Sequence, residues 1–312
     1  MRRILLITLL FLQAQLMAQK TSTMFNPAAS PTLAAQTTFA TLPGRNLAYR
    51  TVGNGEPFIL CNRFRGILDS WDPIFIDQLS AHYKVILFDY SGVGLSTGEL
   101  PLEIASVAND VRDLAKHLKL SRFILGGWSF GGAVAQTFAV HHPDMVTQLI
   151  LIGTGPAGAN EHKLDPLFIE TASHVVNDLK DFEILFYEPA SATSREKARE
   201  SFDRIALRKT DLDKPVPPEV WPRYFKAAAD YRADQNNTRE KLGKLNIPVL
   251  ALCGDHDISF PVQNWYAMTG SMPNLFISVY PSAGHAPQDQ YPLLSFRLIH
   301  GFIQQHHDYR SK

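Results

Sequence analysis

The sequence predicts an α/β fold: a mostly parallel, eight-stranded sheet flanked by helices, with a run of short helices inserted late in the chain. Three observations carry this. Short apolar runs alternate with helical stretches from residue 58 onwards, the mark of a parallel sheet. An antiparallel hairpin precedes them. The stretch 125–132, Leu-Gly-Gly-Trp-Ser-Phe-Gly-Gly, then joins an apolar run to an Ala-rich stretch of helical length.

In chain order, Met1-Arg2-Arg3 is a short basic start and residues 4–12 are almost uninterrupted apolar. Leu16-Met17-Ala18 ends on a small residue suited to cleavage before Gln19. This reads as a secretory signal peptide over 1–18, too short to span a membrane, and implies an exported protein, periplasmic or secreted. Gln13 and Gln15 interrupt the end of the apolar run, which argues against an uncleaved anchor. Residues 19–36 are rich in Thr, Ser, Ala and Pro without periodicity and read as a disordered linker. What remains has the size of one large domain with an insertion, ample for a buried core.

Residues 38–42 and 47–52 flank a Pro43-Gly44-Arg45-Asn46 turn and form the hairpin. The further strands are expected at 58–61, 85–88, 123–125, 149–152, 249–253 and 276–280. Among the helices, 106–118 places Val107, Val111, Leu114 and Leu118 on one face. Ligand chemistry in such sheets gathers at the carboxyl ends of the strands.

The Gly127-Trp128-Ser129-Phe130-Gly131 step is a G-x-S-x-G nucleophile elbow between strand and helix. A Cβ at either Gly would meet the neighbouring strand or helix, and the helix N-terminus behind Ser129 offers N–H groups where an oxyanion would form. In this the chain resembles the α/β-hydrolases, from about Thr37 to its C-terminus. The resemblance implies an α/β-hydrolase core over 37–155 and 241–312 with a helical cap inserted at 156–240. Aromatics such as Phe168, Phe186 and Trp221 within that insertion are expected mainly to form the core of the cap.

The resemblance also places a triad. Gly254-Asp255-His256-Asp257 follows the seventh strand, and Gly284-His285 follows the eighth. By the family's spacing the triad acid is Asp257, with Asp255 the runner-up, and the base is His285. The order Ser129, Asp257, His285 is that of the α/β-hydrolase triad. The oxyanion hole is expected from the N–H groups of Phe130 and Phe64. Here the chain departs from its relatives, carrying Asn62-Arg63 where most have His-Gly. Arg65 reads first as a solvated loop residue and second as a cation at the pocket mouth that would favour acidic substrates. Asp89-Tyr90-Ser91-Gly92-Val93-Gly94-Leu95-Ser96 resembles the family's D-x-R-G-x-G-x-S loop with Ser91 in place of Arg, and no catalytic role is assigned to Asp89.

In the family's strand order the strands ending at Cys61 and Cys253 lie about three positions apart, roughly 14 Å, too far for a disulfide. Two free, buried thiols are expected. With 30 basic and 30 acidic residues the chain is balanced, and it has no basic stripe of the kind nucleic-acid binding requires. No step of a serine mechanism calls for a metal, flavin or nucleotide, so no cofactor is expected. The expected activity is hydrolysis of an ester, lactone or related carboxylic derivative of a small, partly apolar molecule through an acyl-enzyme on Ser129. Cofactor-free haloperoxidase-like perhydrolysis and C–C bond hydrolysis on the same triad are alternatives, and a ligand-binding receptor with negligible turnover is the non-enzymatic one.

Overall fold

The computed structural model describes residues 25–307. The expected signal peptide, the first part of the linker and the last residues of the chain lie outside them. The eight strands are β1 (Thr38–Leu42), β2 (Arg45–Val52), β3 (Glu56–Cys61), β4 (Tyr83–Phe88), β5 (Phe123–Trp128), β6 (Val146–Ile152), β7 (Val249–Gly254) and β8 (Leu275–Tyr280). They form one sheet in the order β1-β2-β4-β3-β5-β6-β7-β8. β2 pairs antiparallel with β1 and β4, and every later pairing is parallel. All eight expected strands are present.

The central strands carry apolar side chains on both faces because helices cover both. On one side lie α3 (Ile104–His117) and α4 (Phe130–His141), and Val107, Val111 and Leu114 of α3 are fully buried. On the other lie α2 (Pro73–Ser80) and α12 (Pro292–His307), which pack on each other. Cys61 and Cys253 end β3 and β7, three positions apart in the sheet. Both are free and buried, and burial pushes both thiols up.

Residues 25–36 are not a disordered linker. α1 (Pro31–Ala34) is short but well anchored: Ser30 Oγ accepts from Leu33 N, and Pro31 opens the helix. Thr32 donates to Asp77 of α2 through both N and Oγ1. Arg208 donates to the Ala35 carbonyl at 3.1 Å. The Ser, Thr and Pro residues that suggest disorder by composition here act as caps and tethers.

Between β6 and β7 the chain forms a helical insertion: α5 (Pro166–Ala172), α6 (Leu179–Phe186), α7 (Ala192–Ile205), α8 (Trp221–Ala233) and α9 (Thr238–Gly243). Asp165, Asp178 and Ser191 cap the first three. Phe182, Phe186, Trp221, Tyr224 and Tyr231 are buried in and beneath this layer. A buried ion pair fastens it to the core, with Arg204 of α7 2.7 Å from Asp72, the N-cap residue of α2. Two further short helices, α10 (Gln263–Tyr266) and α11 (Pro287–Gln290), follow β7 and β8. Among the described residues no helix is long and apolar enough to cross a membrane.

Candidate active site

β5 ends at Trp128 and α4 begins at Phe130, leaving Ser129 alone at the corner with φ 58° and ψ −119°. That left-handed conformation is costly for a residue with a Cβ. It is held by the bond from Ser129 N to the Ile152 carbonyl, 2.9 Å, and by close packing of the two flanking glycines. A Cβ at Gly127 would strike the Gly131 carbonyl, and one at Gly131 would strike the Cys61 carbonyl. The corner therefore needs glycine on both sides, and Ser129 is carried to the carboxyl end of the sheet. The N–H of Phe130 belongs to the first turn of α4, where no intrahelical acceptor exists.

His285 and Asp257 arrive from the loops after β8 and β7. His285 Nδ1 lies 2.9 Å from Asp257 Oδ2, and the two side chains are 1% and 0% exposed. The other oxygen of Asp257 accepts from Ser259 N at 2.8 Å and Phe260 N at 2.9 Å, which sets the carboxylate's orientation. The imidazole is walled by aromatic rings: Phe260 stacks at 5.6 Å, Phe186 at 6.1 Å, and Phe168 meets it edge-on at 5.4 Å. Its backbone is pinned as well, since Trp128 Nε1 donates to the His285 carbonyl at 2.8 Å. Nε2 of His285 is buried and has no hydrogen-bond partner among the described residues.

Asp255 is used differently. Its Oδ1 accepts from His256 Nδ1 at 2.6 Å and from Ala283 N at 3.1 Å. Partial burial pushes this carboxyl up, but the hydrogen bonds from His256, Ala283 and Ser282 outweigh burial and hold it below its usual range. The same contact with Asp255 raises His256. Of the two candidate acids, the structure brings Asp257 to His285 and leaves Asp255 bracing the loop.

Ser129, His285 and Phe64 line one cleft of about 300 Å³ including its mouth, together with Arg63, Arg65, Phe168, Ala172, Asn177, Leu185 and Phe186. The turn bearing Phe64 is closed by Gly66 N donating to the Arg63 carbonyl, 2.9 Å. Its base is held by Asn62 Nδ2 on the Phe88 carbonyl and Tyr90 OH on the Asn62 carbonyl, both 2.9 Å. The positive φ of this turn falls on Arg65, at 58°, two residues beyond Arg63. The Phe64 ring packs on Tyr224 and Phe225 of the cap, each at 5.2 Å.

Arg65 is not a solvated loop residue. Its Nη1 donates to the carbonyls of Ala172 and His174, each at 2.8 Å, and Nη2 to that of Val175 at 2.7 Å. The guanidinium also lies 4.1 Å from the Trp221 ring centroid. It binds the carbonyls at the end of α5, where a cation is favoured, and so clasps the cap to the loop that carries Phe64. Arg63 turns inward. Its guanidinium sits 5.1 Å from the Trp128 ring and 4.8 Å from that of Phe186. Burial pulls this group down to about 10, which leaves it charged at neutral pH. No signal in the sequence separated these two arginines, because their partners come from the elbow and from the cap.

Asp89 lies outside the cleft lining, buried beside Asp213. A Cβ on Gly94 would collide with both carboxyls. Ser91, in the place of the family's Arg, donates through N and Oγ to Asp110, each at 2.8 Å, and Arg45 reaches the same carboxylate at 3.0 Å. Among the described residues no group of three or more His, Cys, Asp or Glu could hold a metal ion.

The chain has many relatives of this shape. A pimeloyl-[acyl-carrier protein] methyl ester esterase of Pseudoalteromonas atlantica is 28% identical over 250 residues, covering 77% of this chain and 92% of that protein. An alpha/beta hydrolase fold protein from Chitinophaga pinensis superposes with a TM-score of 0.79 at 27% identity, over 87% of this chain and 98% of the other. A thermophilic esterase from Thermogutta terrifontis, at 23% identity over 88% of this chain and all of its own, shares the fold with a TM-score of 0.68. The family model for the alpha/beta hydrolase fold matches residues 56–292. With the elbow, the sheet order and this match in agreement, the chain is an enzyme of the alpha/beta hydrolase fold family.

Proposed function

We propose that the protein is a serine hydrolase cleaving an ester, lactone or related carboxylic derivative of a small, partly apolar molecule through an acyl-enzyme on Ser129. The observation that carries this reading is the buried His285 imidazole, bonded through Nδ1 to Asp257 and left without a partner at Nε2, in the cleft that Ser129 lines. Asp257 accepts the Nδ1 proton and so selects the tautomer whose Nε2 is a base. Nε2 takes the proton of Ser129 as Oγ attacks the carbonyl carbon. The developing oxyanion is held by the N–H of Phe130 and that of Phe64, a pair whose members are each worth about 3–4 kcal/mol of barrier where such donors have been removed. The tetrahedral intermediate collapses to the acyl-enzyme as the imidazolium returns its proton to the leaving oxygen. Water, activated by Nε2, then releases the acid and regenerates Ser129.

The aromatic walls around His285 keep bulk water from the imidazole and suit a partly apolar substrate. Ester-cleaving activity in the name of the Pseudoalteromonas relative supports the same reaction class. Export through the signal peptide over 1–18 belongs to the proposal. The test is labelling with a fluorophosphonate, followed by mass spectrometry and a panel of acyl esters and lactones. An adduct on the peptide containing Ser129, and loss of turnover in Ser129→Ala, are expected. Modification elsewhere in an active enzyme, or an undiminished Ser129→Ala, would overturn it.

A further inference from the structure

Arg63 lies in the turn that carries Phe64, and its side chain enters the cleft wall. Its Nη1 donates to the Phe64 carbonyl at 2.9 Å. This is its one hydrogen bond among the described residues, and Nε is buried with none. No carboxylate of the described residues lies within ion-pair distance of it. The carboxyl that acts on it through space, Asp289, is fully buried, and neither of its oxygens has a hydrogen-bond partner among the described residues. Burial, reinforced by the Asp72 carboxylate, drives Asp289 towards its neutral form. The rings of Trp128 and Phe186 flank the cation, and Phe186 also stacks on His285. The guanidinium and the imidazole thus share Phe186 as a neighbour. Arg65 lines the same cleft, but its donors are committed to three backbone carbonyls.

A cation kept in an aromatic wall without a carboxylate partner is costly unless a ligand completes it. A guanidinium presents paired N–H donors that match a carboxylate. We propose that Arg63 is a specificity-determining residue that binds a carboxylate carried by the substrate, so that the preferred substrates are esters or lactones bearing a free carboxylate, such as hemiesters of short dicarboxylic acids. This rests on the serine hydrolase reading and narrows its substrate class. Arg63 and Ser129 line the same cleft, so a carboxylate and an ester carbonyl a few carbons apart can engage both.

The test compares an aryl hemiester of glutaric acid with the aryl ester of hexanoic acid, which has similar length and no charge. For the wild-type enzyme the hemiester is expected to show a kcat/KM about 10- to 100-fold higher, the range of a hydrogen bond to a charged group. Arg63→Met should bring that ratio close to one, and Arg63→Lys should retain part of it. A wild-type ratio at or below one, or a ratio unchanged in folded Arg63→Met, would overturn the proposal. Should Arg63→Met fail to fold, glutarate and hexanoamide are compared as inhibitors of fluorophosphonate labelling of the wild-type enzyme. Protection by glutarate alone supports the carboxylate site, and equal protection or none removes it. Failure of the serine hydrolase reading looks different, since neither ester is cleaved and Ser129 is not labelled. Calorimetric titration of Ser129→Ala with glutarate then still tests the guanidinium, and absence of binding would overturn its assignment.

Discussion

Asp257 Oδ2 stands 2.9 Å from His285 Nδ1, whereas Asp255, two residues earlier, turns its carboxylate to His256 and the Ala283 N–H. Both acids follow β7, and their hydrogen bonds and burial tell them apart. Asp257→Asn is expected to fold normally and lose about 10⁴-fold in kcat, because the amide no longer selects the reactive tautomer. Asp255→Asn should keep most turnover and lose roughly 0.5–3 kcal/mol of stability. Asp255 is held below its usual range in the folded state, so its contribution is present above its unfolded pKa and lost as pH falls. The gap in melting temperature between Asp255→Asn and wild type should therefore narrow below about pH 4. Kinetics and thermal melts of the two variants decide the matter, and the reverse pattern would move the acid to Asp255.

The elbow makes a second prediction, about backbone. A Cβ at Gly131 meets the carbonyls of Cys61 and Asn62, which cannot swing aside as a side chain would. Gly131→Ala is expected to cost about 1–3 kcal/mol or more and to shift Ser129 against the Phe64 turn, with a loss on the order of 100-fold in turnover. Gly301, on the exposed face of α12 with nothing within 4 Å of its Cβ position, is the control. Gly301→Ala should raise stability by about 0.5–1 kcal/mol. Equal effects at the two glycines would show that steric contact at the elbow is not what selects Gly131.

A third prediction concerns the N-terminus. If residues 1–18 direct export, the protein recovered from its native host begins near Gln19. N-terminal sequencing of periplasmic and extracellular fractions checks this, and an intact Met1 in the cytoplasm overturns it.

The eight strands and the elbow were legible because each is a local pattern: an apolar run, a hairpin turn, a Ser between spaced glycines. The contact between Asp257 and His285 was legible only through the family's spacing, since Asp255 differs from Asp257 by its loop amides and not by its neighbours in sequence. Residues 25–36 misled because Ser30 and Thr32 look alike as linker residues and as caps, and Asp77, which anchors Thr32, is distant in the chain. Arg63 and Arg65 are two residues apart, yet one is held by aromatic rings of β5 and α6 and the other by carbonyls at the end of α5 and just beyond it. Only the folded cap distinguishes them.

The same limit hid a pair of acids that carries the last prediction. Asp89, at the end of β4, and Asp213, between α7 and α8, are both buried and face each other across Gly94. Asp213 is anchored by the N–H groups of Leu68 at 2.8 Å and Lys214 at 2.6 Å. Among the described residues Asp89 accepts a long bond from Leu95 N, 3.4 Å, and its Oδ1 has no partner. Two carboxylates offer acceptors alone, so a shared proton is what lets them meet. Burial first and the neighbouring carboxyl second push Asp89 well above its usual range, and burial raises Asp213 as well. A carboxyl whose folded pKa lies above its unfolded value stabilises the fold below the unfolded pKa. That stability is lost as pH rises through the folded pKa. Asp89→Asn supplies permanently the donor that the proton supplies only at lower pH, and its oxygen can still accept from Leu95. It is therefore expected to melt higher than wild type at pH 8, by roughly 2 °C or more, about what 1 kcal/mol is worth in a chain of this size. The difference should shrink towards pH 4, where the wild-type pair keeps its proton. Melting curves across that range check the sign, and a variant that melts lower at pH 8 would show that the pair stabilises the fold as carboxylates.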